Sequence, residues 1–80
     1  MGYHELFPKG SKVRVKERTA LEAFKKEWRY HNPLETSQLA CAGKEGAVVA
    51  VGFYHGGDVL YTLESIPGIW HEQCLEPCAK

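Results

Sequence analysis

The chain lacks an excess of charge of either sign, a cysteine framework and any long apolar run, and each lack removes a class of function. Ten basic and ten acidic residues cancel, so no global field gathers nucleic acid or anionic lipid through counterion release, and a nucleic-acid partner is not expected. Lys12, Arg14, Lys16, Lys25 and Arg29 lean toward one part of the chain. Glu17, Glu22 and Glu27 lie among them, as on a solvated mixed surface. The longest apolar stretch, Ala47 to Phe53, has strand length and is interrupted by Gly52. It falls far short of the roughly 18 residues of a membrane span, so no membrane partner is expected. The three cysteines, Cys41, Cys74 and Cys78, form an odd set, and the N-terminal residues do not read as a secretory signal. A reducing, cytoplasmic setting is the expectation. Met1-Gly2 is not followed by Ser or Thr at the sixth position, so the myristoylation pattern fails.

What the chain does have is bulk. Nine aromatics in 80 residues, two of them Trp, supply core volume at a size where folding removes only about 60% of the surface from water. Residues 1–80 contain no repeat and no linker, and are read as one domain, a monomer or weak homo-oligomer.

Phe7-Pro8-Lys9-Gly10 reads as a turn, and the alternation of Lys12-Val13-Arg14-Val15-Lys16 as a half-buried strand. Thr19 and Glu22 have capping-box spacing, which places a helix at Thr19 to Arg29 with Leu21, Phe24 and Trp28 on one face and Asn32-Pro33 ending it. Thr36 to Ala42 suits a second short helical turn stopped by Gly43. From Gly46 the residues become β-branched and aromatic. A hairpin follows, with its turn at His55-Gly56-Gly57-Asp58 and with Val59, Tyr61 and Leu63 facing inward. Gly52 suggests a bulge or a close backbone contact. Ser65-Ile66-Pro67-Gly68 reads as a type II turn, Ile69-Trp70-His71 as a strand, and Cys74 to Pro77 as a closing strand. The expected core comprises Val13, Val15, Val49, Val51, Phe53, Tyr61, Leu63, Ile69 and Leu75, capped by the helix. The expected fold is mainly β, a small barrel of about five strands with one α-helix inserted between strands 1 and 2.

This order of motifs resembles SH3-like barrels, and in particular the barrel part of the nitrile hydratase beta subunit. The resemblance rests on Phe7-Pro8-Lys9-Gly10 before Lys12-Val13-Arg14-Val15, then Gly46-Ala47-Val48-Val49, Leu60-Tyr61-Thr62-Leu63, Ile69-Trp70 and Leu75-Glu76-Pro77. It implies topology, with the loop after the first strand variable and here carrying the helical insertion. It does not bring the enzyme activity: in that family the metal sits on a cysteine cluster of the other subunit, and no such motif occurs here. The chain is read as non-enzymatic, with no cofactor.

In SH3-like barrels the ligand groove is lined by aromatics from the loop after the first strand, the central hairpin and the stretch before the last strand. The corresponding residues are Tyr30, His31, Tyr54, His55, Trp70 and His71, with Trp28 beside them. The leading expectation is a module that binds a protein or peptide through this aromatic and histidine surface, centred on Tyr54 and His55 at a glycine-rich loop tip. For Trp28 and Trp70 a core position is the favoured reading. One alternative is an accessory protein for a nitrile-hydratase-like metalloenzyme. Another is a small zinc-binding domain using His71, Cys74 and Cys78, although paired Cys-x-x-Cys spacing is missing.

Overall fold

Alternation in the first strand does what the side chains require. In the computed structural model, which describes residues 5–28, 33–53 and 58–78, β1 spans Lys12–Val15 and fully buries Val13 and Val15. Ahead of it, the Phe7 to Gly10 turn is closed by the Ser11 N–H donating to the Pro8 carbonyl at 2.9 Å, with Gly10 at φ +95°.

The insertion between β1 and β2 carries both helices. Helix α1 spans Arg18–Glu27 and buries Leu21, with Phe24 half-buried. It begins before the expected capping box, which does not form. Arg18 draws the Glu22 carboxylate into an i,i+4 ion pair at 2.9 Å, so Glu22 is engaged by a helix neighbour and Thr19 lies exposed within the first turn. The helix stops at Glu27 because Trp28 turns extended, at φ −87° and ψ 115°, while its N–H still donates to the Phe24 carbonyl. Lys25 and Lys26 occupy the last turn, where the helix dipole favours positive charge. Helix α2 is the single turn Thr36–Leu39 rather than a helix to Ala42, and its C-cap is Ala40 in the right-handed region rather than the expected Gly43, which at φ +82° ends the turn that follows.

Among the described residues five strands form one antiparallel sheet in the order β4-β3-β2-β1-β5. Strand β2 spans Glu45–Phe53 and pairs through its first residues with β1, Lys12 opposite Ala47, and through the rest with β3, Val59–Leu63. The expected central hairpin is thus present, its turn at residues 54–57 lying outside the described residues. Val59, Tyr61 and Leu63 are buried as expected.

Three core expectations are corrected, those at Val49 and Ile69 by register and that at Phe53 by its place at the end of a strand. The β2 irregularity falls between Val48 and Ala50, whereas Gly52 pairs regularly with Leu60. The extra residue reverses the alternation locally. Val48 takes the core position expected of Val49, which is 41% exposed, and Phe53 at the strand end is 44% exposed. The turn between β3 and β4 is Glu64-Ser65 rather than Ser65 to Gly68, Ser65 adopting φ 66°. Strand β4 consequently begins at Ile66 and runs to His71, with Leu63 opposite Ile66 and Thr62 opposite Ile69, so Pro67 and Gly68 form an unmatched insertion. Ile66 is buried in place of Ile69, which is 41% exposed.

After β4 a 3₁₀ turn, Glu72–Cys74, leads to β5, Leu75–Pro77, which pairs with β1 so that Val15 faces Leu75. Arg14 stands between Glu45 at 3.4 Å and Glu76 at 3.7 Å, one carboxylate from each neighbouring strand. The buried cluster runs from Phe7 to Leu75 and takes residues from β1, both helices and every other strand. No helix is long and apolar enough to cross a membrane among the described residues.

Candidate binding cleft

Tyr30, His31, Tyr54 and His55 lie outside the described residues. Trp70 and His71 are described, and neither contributes to the surface. Trp70 is 0% exposed in the core, across from Tyr61, and its Nε1 has no hydrogen-bond partner among the described residues. His71 is 2% exposed and lies beneath α1, its ring 4.9 Å from that of Phe24 and 4.8 Å from that of Trp28. Phe24 and Trp28 stack on one another at 5.5 Å and 14°. The end of α1 therefore covers the point where β4 passes into the 3₁₀ turn. Trp28 is half-buried in this cluster, and Trp70 occupies the core position favoured for it.

His71, Cys74 and Cys78 are not assembled into a ligand set: no three His, Cys, Asp or Glu residues converge among the described residues. Cys74 is buried, and burial pushes its thiol up to about 12, against the smaller opposing effects of the Lys16 charge and a hydrogen bond from the His71 backbone. A thiol so raised stays protonated at neutral pH and is a poor nucleophile. Its role is that of a small apolar core residue.

A concave site does occur elsewhere, between α2 and the outer strand β4. The cleft has a volume of about 500 Å³, within the range of ligand sites. The α2 side contributes Pro33, Glu35, Ser37 and Gln38, with Cys41 behind them; the β4 side contributes Pro67, Gly68 and Ile69. Gln38 joins the two sides. Its Oε1 accepts from the Glu35 N–H at 2.9 Å, and its Nε2 donates to the Ile69 carbonyl at 3.1 Å. At 7% exposure this amide is a buried polar group with both ends satisfied, the condition under which such a group orders its surroundings rather than destabilising them.

Gly68 is matched to this arrangement. Its φ is +100°, and a Cβ there would lie 2.7 Å from the Gln38 Nε2. Only glycine gives both the backbone conformation and the space. Ile69 then projects outward on the cleft wall, with rigid proline rings, Pro33 and Pro67, on the two sides. Among the described lining residues Glu35 carries the one formal charge. The ion pairs formed among the described residues involve Arg14 and Arg18 and leave Glu35 out.

Sequence reasoning did not identify this cleft. A signal was present in the Glu35-x-x-Gln38 spacing at a helix start, and in Pro67-Gly68 once the turn is moved to Glu64-Ser65. That Gln38 reaches Ile69 is a tertiary fact with no local signature. No match was found to family models, curated proteins or solved structures.

Proposed function

We propose that this domain is a non-enzymatic interaction module built on an SH3-like barrel, and that it receives a peptide from a partner protein in the cleft between α2 and β4. Support for the barrel comes from the strand order β4-β3-β2-β1-β5, in which β2 pairs with β1 through its first residues and with β3 through the rest, so that one bent strand joins two short sheets. In such barrels the groove draws on the loop after the first strand and the stretch before the last. Here α1, supplied by that loop, lies against the 3₁₀ turn with Phe24 and Trp28 on His71. The domain's own helix thus fills part of the usual groove, and the binding role moves to the open cleft.

The observation that carries the reading is the cleft held by Gln38. A volume of about 500 Å³, an exposed isoleucine, two proline walls and a doubly bonded amide make a mostly rigid recess, which lowers the ordering cost of binding. Selection of a random peptide library against the wild type and an Ile69→Asp/Ser37→Trp variant tests it. Both positions are exposed, so the variant is expected to fold, as circular dichroism would verify. A sequence motif enriched on the wild type and lost on the variant is the expected result. Failure to enrich any motif, or equal enrichment on both proteins, overturns the reading.

A further inference from the structure

Resting on that reading, we infer that the ligand of the α2–β4 cleft is an extended peptide carrying a lysine or arginine beside a proline or aliphatic residue. The inference starts from Glu35, the one formally charged side chain among the described residues that line the cleft. A cationic side chain entering beside Ile69 gains an ion pair there, whereas an acidic one meets like charge, and complementarity of this kind selects partners more than it adds affinity. The apolar requirement comes from Pro33, Pro67 and Ile69, whose surfaces match a proline ring or a branched aliphatic chain.

The form of the cleft also disfavours a partner's sheet edge as the occupant. Strand addition needs a row of free backbone donors and acceptors along the edge. In β4, Pro67 has no N–H, Pro67 and Gly68 are out of register with β3, and the Ile69 carbonyl already accepts from Gln38. Recognition therefore falls to side chains, which is the mode of an extended, proline-containing segment rather than of a second sheet.

Three pools of acetylated, amidated hexapeptides, identical except for a fixed central residue of arginine, citrulline or glutamate, test the assignment by retention on immobilised protein. The arginine pool is expected to be retained about two- to fivefold more than the citrulline pool, the range of an exposed ion pair, and the glutamate pool least. Glu35→Gln, which keeps the backbone N–H that Gln38 holds, is expected to bring the arginine and citrulline pools to equal retention. Ile69→Ser is expected to reduce retention of the arginine and citrulline pools. Equal retention of all three pools that is lost in Ile69→Ser overturns the charge assignment and leaves the module reading standing. Absence of retention of every pool on the wild type overturns both. Retention unaffected by Ile69→Ser places binding elsewhere and overturns the inference.

Discussion

The Tyr61 hydroxyl donates to a Glu72 carboxylate oxygen 2.5 Å away, and the same two groups hold the segment before β1. The Leu6 N–H donates to Glu72 at 3.0 Å and to the Tyr61 oxygen at 3.2 Å, the Phe7 N–H reaches that oxygen at 3.4 Å, and the Phe7 ring meets Tyr61 edge-on at 5.6 Å. Removing the hydroxyl deprives three groups of a partner while keeping the ring in place. Tyr61→Phe is expected to lower unfolding free energy by about 1–3 kcal/mol, read by urea denaturation. An unchanged midpoint would show that the network contributes nothing net.

Alkaline titration gives an independent check. Burial, together with the hydrogen bond to Glu72, raises Tyr61 from 10.0 to about 12, and burial raises Cys74 from 9.0 to about 12. Both groups hold their protons more tightly when folded. Their contribution to stability is therefore complete below the unfolded values and is lost as pH rises, from about pH 9 for Cys74 and pH 10 for Tyr61, toward pH 12. Tm is expected to fall across that window, and less steeply in Tyr61→Phe and Cys74→Ala relative to their own neutral-pH values. An identical alkaline slope in wild type and both variants would contradict the assignment.

Thiol accessibility separates the three cysteines. Cys41 and Cys74 are buried and Cys78 is half-buried. A disulfide reagent at neutral pH is expected to label Cys78 rapidly and the other two only at the rate of opening or unfolding. In Cys78→Ser the fast phase is expected to vanish; its persistence would place an accessible thiol elsewhere.

The fit between Gly68 and Gln38 is open to a double-mutant cycle. Gly68→Ala places a Cβ 2.7 Å from the amide at a φ of +100°, and is expected to cost about 1–3 kcal/mol from backbone strain plus the displacement of Gln38. The same change in a Gln38→Ala background keeps the strain and removes the collision. A smaller cost there measures the coupling, whereas equal costs would assign the whole effect to the backbone.

Much of this architecture was legible where local pattern and tertiary demand agree. Val13 and Val15, the inward row of Val59, Tyr61 and Leu63, and the insertion helix with Leu21 buried all follow from period and turn chemistry. The errors at Val49 and Ile69 share one cause, whereas Phe53 keeps its inward parity opposite Val59 and is exposed at the end of β2. Strand alternation extrapolates faithfully only until a residue is inserted, and the irregularities at Val48–Ala50 and Pro67-Gly68 shift the inward parity without leaving a residue-type signature at Val49. The capping box failed because the helix starts at Arg18 with Glu17 as its N-cap, which puts Thr19 inside the first turn instead of at the cap. The cleft stayed hidden for a different reason: its walls come from segments that are distant in sequence, joined through one glutamine side chain.

The pairing of Val13 with Pro77 and of Val15 with Leu75 has a kinetic consequence. The hairpins β2–β3 and β3–β4 join neighbouring stretches of chain, but β1 stays unpaired along one side until the final strand is available. Closing that contact spans nearly the entire chain and carries its loop entropy late. On the ribosome, β1 is made first and is completed last, after Leu75 to Pro77 have left the exit tunnel. Until then its buried valines lack their β5 neighbour, and this is the interval in which a nascent chain of this topology most needs protection from premature association.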